Sequence, residues 1–262
     1  MKNTTTLQHS SRAAIVAMFL CVFALNSCST DTPSDNNNTY TVKKMKFTAG
    51  SSHYFNLFLV DTADKSGNNG DKIIADSAQY NRQELTIDTA LTYKGFSNVT
   101  RMIFASNQPD TNYYYQDASG NVWRYNYGFN ILNKFQFLVN ALGGPVDVGW
   151  VLVAKPGATD GTTWIGKSDS TIVQSLGFKV YFTDNATVMN DTVITVSSDA
   201  ITTQHIRHVI LASTFGTTGT VNIDTYVSPE LGTTVMDFFH HSKIVGGYNL
   251  QARGSQKIMV QK

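Results

Sequence analysis

Cysteine, glutamate and charged residues in general are scarce in this sequence of 262 residues. Two cysteines occur, Cys21 and Cys28, so the chain cannot depend on a network of disulfides. Charged residues make up 15% of the chain, and glutamate occurs only as Glu84 and Glu230. Helical bundles are rich in alanine, glutamate, lysine and leucine, so this composition argues against one. The formal net charge of +1 also lacks the basic excess of a nucleic-acid-binding protein.

A continuous apolar run is confined to the first thirty residues. It covers residues 13–25 and follows Lys2 and Arg12. As a helix it would extend about 20 Å, which is shorter than the roughly 30 Å hydrocarbon core of a bilayer. A basic start, a short apolar run and small residues at its end are typical of a secretory signal peptide. We therefore predict that residues 1–27 are a helical signal peptide and not a membrane anchor.

The end of this segment reads Leu25-Asn26-Ser27-Cys28. It resembles the lipobox of bacterial lipoproteins, in which a leucine and a small residue precede an invariant cysteine. The resemblance implies cleavage before Cys28 and acylation of its thiol and of the new amino group, with palmitate-type chains that anchor the protein in a membrane. Ser29 implies the outer membrane by the sorting rule of the same family, and leaves the periplasmic and cell-surface sides open. The alternative is a plain secretory signal in which Cys28 is incidental.

The rest of the chain divides into a tether and one domain. Residues 28–39 are polar after Cys28, include three consecutive asparagines, and are predicted to form a flexible tether. Residues 40–262 show no repeat and no break in composition, so we predict a single domain. Short β-branched and aromatic runs between turn clusters indicate an all-β fold, which would be an antiparallel curved sheet, a sandwich or an open barrel. The candidate strands are 40–48, 53–61, 72–77, 97–105, 113–117, 121–127, 135–139, 149–154, 170–183 with a break near 177, 192–196, 204–214, 220–227, 236–240 and 257–260.

One hairpin is specific enough for its register to be predicted. Its loop is Ala118-Ser119-Gly120, and a three-residue loop that ends in glycine fits a type I turn followed by a left-handed glycine. This register pairs Tyr115 with Trp123. It also pairs Tyr113 with Tyr125, so one face of the hairpin becomes an aromatic ladder. The sequence favours a ladder that faces the core, where aromatic side chains are common in strands. The alternative is a stacking platform for a sugar or another flat ligand.

A phosphate-loop pattern occurs at Gly161–Ser168, which matches G-x-x-x-x-G-K-[ST]. A working motif of this kind lies between a parallel strand and a long helix. Here the residues that follow read equally well as a strand, and Trp164 and Ile165 are bulky for a loop whose amides must curl around phosphate. We therefore predict that the protein does not bind nucleotide.

The histidines are the candidate metal ligands. His205 and His208 form H-x-x-H in a β-branched segment, and on a strand they would point to opposite faces and could not share a metal. A haem or metal carrier that uses His205, His208 and His240, together with His53, stays open as an alternative. A hydrolase is a further alternative, and it would need two carboxylates facing each other. The sequence predicts no catalytic residue and no cofactor.

Three stretches of the body resemble a loose group of uncharacterised β-rich bacterial outer-membrane lipoproteins. They are residues 115–125, the pair Gly149-Trp150, and residues 225–232 with the Tyr226, Pro229 and Gly232 corner. The resemblance implies a curved antiparallel sheet and brings no established activity and no binding residues. We therefore expect a lipid-anchored, extracytoplasmic and non-enzymatic protein that binds a small apolar or carbohydrate ligand or a partner protein.

Overall fold

The computed structural model describes most of the predicted domain. The residues described are 43–61, 66, 72–73, 80–105, 110–127, 147–173, 178–214, 217–241 and 253–261. All the regular secondary structure in these residues is strand, so the predicted all-β class is confirmed. The signal peptide 1–27, Cys28, the tether 28–39 and the candidate strand 135–139 lie outside the described residues.

Thirteen strands occur in the described part of the chain. They are β1 (Ser52–Asp61), β2 (Lys72–Ile73), β3 (Tyr80–Tyr93), β4 (Phe96–Ala105), β5 (Asp110–Gln116), β6 (Val122–Tyr125), β7 (Trp150–Ala154), β8 (Thr163–Val173), β9 (Phe178–Val196), β10 (Asp199–Thr214), β11 (Thr217–Ser228), β12 (Thr233–His241) and β13 (Arg253–Gln261).

These strands form one antiparallel sheet that is nearly closed into a barrel. Its order is β7-β6-β5-β4-β3-β1-β13-β12-β11-β10-β9-β8, and β2 pairs with β1 beside this path. The two terminal strands, β7 and β8, lie next to each other. There the indole Nε1 of Trp164 on β8 donates a hydrogen bond to the backbone oxygen of Leu152 on β7, over 2.9 Å. The sequence did not distinguish a sandwich, a curved sheet and an open barrel. The contact between β7 and β8 is what brings the two ends of the sheet together.

Alternation of side chains along the strands gives the barrel its interior. On β10, Gln204, Ile206, His208 and Ile210 are all buried, while the residues between them are partly exposed. Successive residues of a strand point to opposite faces, so every second side chain enters the interior. The interior therefore accepts polar residues as well as apolar ones.

Residues 43–48 cross one end of the barrel without forming a strand. The backbone nitrogen of Lys43 donates to the oxygen of Pro156 over 3.3 Å, and that of Lys46 donates to the oxygen of Pro229 over 2.8 Å. Met45 lies buried between these two bonds and belongs to the main hydrophobic cluster. The predicted strand at 40–48 is therefore wrong for residues 43–48, because this segment is tied to loops and not to a neighbouring strand.

A long strand, β3, was not among the sequence-based candidates. Its inward side chains include Glu84 and Thr86, each with only 2% of its surface exposed. Strand prediction depends on apolar residues at alternate positions, and here polar residues occupy the inward positions. The pairing of β3 with β4 also shifts register at three places between Thr86 and Tyr93, which bends the end of this hairpin.

Candidate functional site

The hairpin of β5 and β6 has the predicted register. Tyr115 pairs with Trp123, and the backbone nitrogen of Asp117 donates to the oxygen of Asn121 over 3.0 Å. Gly120 has a φ of 84°, which is the left-handed conformation that the loop requires. The sequence-based prediction of the loop and of this pairing is confirmed.

The aromatic ladder, however, lies on the outer face of the sheet. Tyr114 and Arg124 line an interior cavity, and their neighbours Tyr113 and Tyr115 therefore point to the opposite, outer side. The expectation that the ladder faces the core is wrong. Aromatic and polar residues occur on both faces of this hairpin, so its sequence alone does not distinguish inside from outside.

The tip of the β3–β4 hairpin folds onto this ladder. The ring of Tyr93 stacks on that of Tyr113, with 3.8 Å between centroids and 8° between planes. Phe96 packs against Tyr115 with 4.6 Å between centroids. The turn between them has positive φ at Lys94, and its two-residue length fits a tight hairpin. The hairpin tip thus joins its own aromatic rings to the ladder.

Trp150, at the start of β7, completes the cluster. Its ring meets those of Phe96 and Tyr125 edge to face, with centroids 5.3 and 5.5 Å apart. Aromatic rings prefer this geometry, and each such pair stabilises by about 0.5–1.5 kcal/mol beyond its burial. We call the set the aromatic platform, and it consists of Tyr93, Phe96, Tyr113, Tyr115, Trp123, Tyr125 and Trp150. Trp123 belongs to it through its pairing with Tyr115, and it also packs against the main hydrophobic cluster. All seven side chains are partly exposed, and Phe96 has 37% of its surface accessible.

A carboxylate lies at one edge of the platform. The hydroxyl of Tyr125 donates to Oδ1 of Asp147 over 2.6 Å, and the Nζ of Lys94 lies 3.6 Å from the other carboxylate oxygen. Burial acts to raise the pKa of Asp147, but the hydrogen bonds from Tyr125 and the Gly149 amide and the charge of Lys94 lower it below its ordinary value. About half of the Asp147 side chain is exposed. It therefore stays anionic and open to further hydrogen bonds at neutral pH.

A second carboxylate lies beside Trp123. The indole Nε1 of Trp123 donates to Oδ2 of Asp117 over 3.4 Å. The backbone nitrogen of Asn121 donates to Oδ1 of the same carboxylate over 3.0 Å. The pKa of Asp117 is lowered, because its hydrogen bonds outweigh the effect of burial, which acts to raise it. The platform thus combines apolar rings with two anionic hydrogen-bond acceptors.

Sequence analysis found four members of the platform and missed three. Tyr113, Tyr115, Trp123 and Tyr125 are the ligand-binding candidates from the sequence, and the structure brings them together on one face. Tyr93, Phe96 and Trp150 were missed. A usable signal was present for two of them, since a Lys-Gly dipeptide between Tyr93 and Phe96 fits a two-residue hairpin.

The interior cavity is small. It has a volume of about 20 Å³, enough for a water molecule but too small for a sugar or a lipid chain. The guanidinium of Arg124 lies over the ring of Tyr127 at 5.1 Å and donates from Nη2 to Oδ1 of Asn112 over 2.7 Å. The lining residues are Met45, Tyr114, Val122, Arg124, Tyr127, Val153, Ala154, Thr225, Val227, Gly232, Thr233 and Thr234.

Two carboxylates of the interior, the buried Glu84 and the half-buried Asp237, have pKa values shifted in opposite directions. Burial acts to raise the pKa of Glu84, but the nearby Lys257, with its Nζ at 3.3 Å, and the hydroxyl of Thr233 lower it below its ordinary value. Burial raises the pKa of Asp237 and outweighs the charges of Lys257 and Arg124. Both carboxylates accept hydrogen bonds from side chains of the protein, Glu84 from Lys257 and Asp237 from Thr225.

The candidate metal ligands point to different places, as predicted for a strand. His208 is completely buried, with Nδ1 at 3.0 Å from Asp184 and Nε2 at 3.0 Å from the oxygen of Val153. His205 faces outward, where Nε2 lies 2.8 Å from Asp224. Across the part of the chain that the structure describes, no three histidine, cysteine or acidic side chains come together in a metal-binding geometry, and this includes His53 and His240.

The phosphate-loop pattern forms a turn and a strand. Gly161 lies in the turn, and the residues from Thr163 onward belong to β8. Lys167 pairs with Asp169 over 3.4 Å. A Cβ atom at Gly166 would collide with the carboxylate of Asp184 and would lie 2.8 Å from the backbone oxygen of Leu152, so this glycine allows β8 to lie close to both Asp184 and β7.

Comparison with known proteins gives one distant structural similarity. No family model matches the chain, and no curated protein matches it. Among solved structures it is similar to the crystal structure of the hypothetical lipoprotein YmcC from Escherichia coli K12, at 9% sequence identity and a TM-score of 0.33 over 99% of each chain. A TM-score this low carries no argument. Interpretation of the chain as a lipoprotein therefore depends on the sequence around Cys28.

Within the described residues, no helix has the length and apolar character needed to cross a bilayer.

Proposed function

We propose that this protein is a lipid-anchored, extracytoplasmic and non-enzymatic lipoprotein of the outer membrane that binds a carbohydrate on its aromatic platform. The observation that carries this proposal is the group of seven partly exposed aromatic side chains on the outer face of the sheet.

The platform has the chemistry that sugar recognition needs. A pyranose ring presents C–H groups on its faces and hydroxyls at its edges, so its faces stack on aromatic rings and its edges need hydrogen-bond partners. Trp150 and Tyr115 supply rings, Asp147 supplies an exposed acceptor, and Asp117 supplies a half-buried one beside Trp123. Tyrosine and tryptophan combine apolar area with a polar group, which suits a wet binding surface.

The cavity found among the described residues of the interior offers less room for a ligand. The cavity beside Arg124 holds about one water molecule, whereas small-molecule sites usually have volumes of about 300–1,000 Å³. This comparison favours the outer platform over an apolar ligand held inside the barrel.

Lipid attachment at Cys28 would place this platform near a membrane. About 15 residues separate Cys28 from the first described residue, Lys43, and fully extended they would span roughly 50 Å. Several acyl chains, at about 0.8 kcal/mol per buried CH₂, would hold the protein stably without contact between its domain and the bilayer.

Carbohydrate binding can be tested with the full chain purified from membranes in detergent. A glycan array would identify binders, and titration calorimetry would compare the wild type with Tyr115→Ala and Trp150→Ala. Loss of one stacking ring should weaken binding about tenfold, since such a contact is worth about 1–3 kcal/mol for flat ligands. Tyr181→Ala is the matched control, because Tyr181 is 54% exposed on β9 and lies outside the platform. Binding that is absent, or equally affected by all three variants, would contradict the proposal.

The anchor can be tested separately. Cells grown with an alkyne-labelled fatty acid should incorporate the label into the wild-type chain and not into Cys28→Ser. Mass spectrometry of the N-terminal peptide should then show acylated Cys28 as the first residue. An intact Met1, or an unmodified thiol at position 28, would rule out this mode of attachment.

A further inference from the structure

Three side chains of the hairpin tip, residues 93–96, each contact one tyrosine of the aromatic ladder. The pairs are Tyr93 on Tyr113 with ring centroids 3.8 Å apart, the Nζ of Lys94 at 5.5 Å over the ring of Tyr125, and Phe96 beside Tyr115 with centroids 4.6 Å apart. The stack of Tyr93 on Tyr113 is nearly parallel, with 8° between the planes. A sugar ring that stacks on Tyr113 needs this same position, so the hairpin tip occupies part of the surface that a ligand would use.

The polar contacts that hold the hairpin tip are long and lie at the surface. The indole Nε1 of Trp150 donates to the backbone oxygen of Lys94 over 3.3 Å, and the Nζ of Lys94 lies 3.6 Å from Asp147, with about half of each of these two side chains exposed. Backbone pairing of β4 with β5 begins only at Thr100, so the tip rests on the ladder through side chains. Exposed ion pairs contribute little to stability, and segments with few buried contacts open locally at low free energy.

The base of the hairpin is irregular. Pairing of β3 with β4 shifts register at three places between Thr86 and Tyr93, and Asn98 has a positive φ of 57°. Oδ1 of Asp88 accepts a hydrogen bond from the amide nitrogen of Ala90 over 2.9 Å, which is a local turn and not a ladder contact. Bulged pairing bends a strand, and a few residues at such a point can absorb the backbone change of a hinge.

We propose that the hairpin tip is an autoinhibitory element of the aromatic platform, which covers the ladder in the free protein and is displaced when a carbohydrate binds. Displacement uncovers the tyrosine rings of the ladder and releases the Asp147 carboxylate from Lys94, so that it can accept a hydrogen bond from a sugar hydroxyl. The apparent affinity is then reduced by the fraction of molecules whose tip is open. This inference rests on the proposed carbohydrate-binding function and adds its regulation.

A triple variant, Tyr93→Ser with Lys94→Asn and Phe96→Ser, removes the covering side chains and keeps the turn. Asparagine followed by Gly95 is the preferred sequence for a two-residue hairpin, and asparagine tolerates the positive φ of 47° at position 94. Cellohexaose, maltohexaose and N-acetylated chitohexaose are uncharged probes, and each is titrated into the full chain in detergent by calorimetry. The triple variant should bind the same probe about tenfold more tightly than wild type, because no molecules are lost to the closed state.

Matched variants show which surface is responsible. Tyr181→Ser removes an exposed ring on β9, outside the platform, and should bind as wild type. Tyr115→Ala should weaken binding in the wild-type chain and in the triple variant, because the ladder is the binding surface in both. Phe96→Ser alone is a milder change, since Phe96 is 37% exposed, and should tighten binding by a smaller factor. It tests the same point if the triple variant does not fold.

Hydrogen exchange gives a second readout, which a purely structural role of the hairpin tip would leave unchanged. The amides of residues 93–98 in wild type should exchange faster in the presence of the tightest-binding probe than in its absence, because the displaced tip is open to water. A tip that closes over the sugar would exchange more slowly instead, and that result would overturn the inference.

The possible results separate the two proposals. Binding of a probe by wild type that is equal or weaker in the triple variant and in Phe96→Ser would overturn autoinhibition and leave carbohydrate binding in place. Binding of no probe, and of nothing on a glycan array, by wild type and the variants would overturn both. Tighter binding by the triple variant, together with faster exchange of the tip in liganded wild type, is the result that supports the inference.

Discussion

The inner and outer faces of this sheet use polar residues in different ways, and β10 shows the contrast within four residues. His208 points inward and is completely buried against Asp184, whereas His205 points outward to Asp224 and stacks on Tyr226 at 4.3 Å. Inside, His208 and Asp184 are partners because an unpaired polar group away from water is unfavourable, although buried atoms of His53, Gln204 and Gln256 have no partner among the described residues. Outside, solvent removes this constraint.

The largest expected effect would test the inner face. His208→Ala should lower the free energy of unfolding by about 3–5 kcal/mol, because it leaves the buried carboxylate of Asp184 without its partner. His205→Ala is the matched variant on the outer face of the same strand and should cost about 1 kcal/mol. Urea denaturation of both variants measures the difference. Equal losses would show that the two faces do not differ as described.

A smaller effect is expected where the barrel closes. Gly166→Ala would place a Cβ atom against the carboxylate of Asp184 and 2.8 Å from the backbone oxygen of Leu152, and such overpacking costs about 1–3 kcal/mol. Ile165→Ala, at the exposed neighbouring position, is the control and should change stability little. Thermal unfolding gives the comparison. Unchanged stability of Gly166→Ala would show that β8 does not approach β7 so closely.

Two inner carboxylates should respond to pH with opposite sign. Glu84 has a lowered pKa, so its contribution to stability is complete above its ordinary pKa of about 4.3 and is lost as the pH falls toward the folded-state value. Asp237 has a raised pKa, so stability is lost as the pH rises through the interval above its ordinary value of about 3.9.

Glu84→Gln should therefore flatten the acid side of the stability profile and destabilise at pH 7. Asp237→Asn should leave the folding stability at pH 7 unchanged or raise it. The decrease in stability that the wild type shows above about pH 4 should be absent in this variant. Chemical denaturation from pH 3 to pH 8 measures both profiles. A change of the same sign in both variants would contradict the assignment.

The smallest expected effect concerns the outer platform. Tyr93→Ala removes the ring that stacks on Tyr113 and should cost about 0.5–1.5 kcal/mol beyond the loss of buried area. The emission of Trp150 should shift to longer wavelength, because its neighbour on the hairpin tip is gone. Tyr181→Ala serves again as the control. An unchanged spectrum would indicate that the hairpin tip does not rest on the platform.

Local signals in the sequence predicted local structure well. Gly120 at the end of a three-residue loop fixed the pairing of Tyr115 with Trp123, and the β-branched segment around His205 placed it opposite His208. Assignment of the ladder to the inner or outer face failed, because that choice depends on how distant strands close the barrel.

Other failures have the same origin. Glu84 made β3 look unlike a strand, although it faces inward, because its partner Lys257 lies 173 positions further along the chain. Trp150 was not placed beside Tyr125, since the two rings meet only when β7 pairs with β6 across an intervening stretch of chain. These features depend on tertiary contacts, and no short stretch of sequence contains them.

The crossing segment 43–48 determines how a pull on the N-terminal side of the chain would reach the domain. Traction at Lys43 would act first on its bond to Pro156 and next on the bond from Lys46 to Pro229. Met45 lies in the hydrophobic cluster between these two bonds, and its side chain would have to come out of the cluster before the force reaches a strand. The contacts of this segment would therefore break before those of the sheet when the chain is pulled from its N-terminal side.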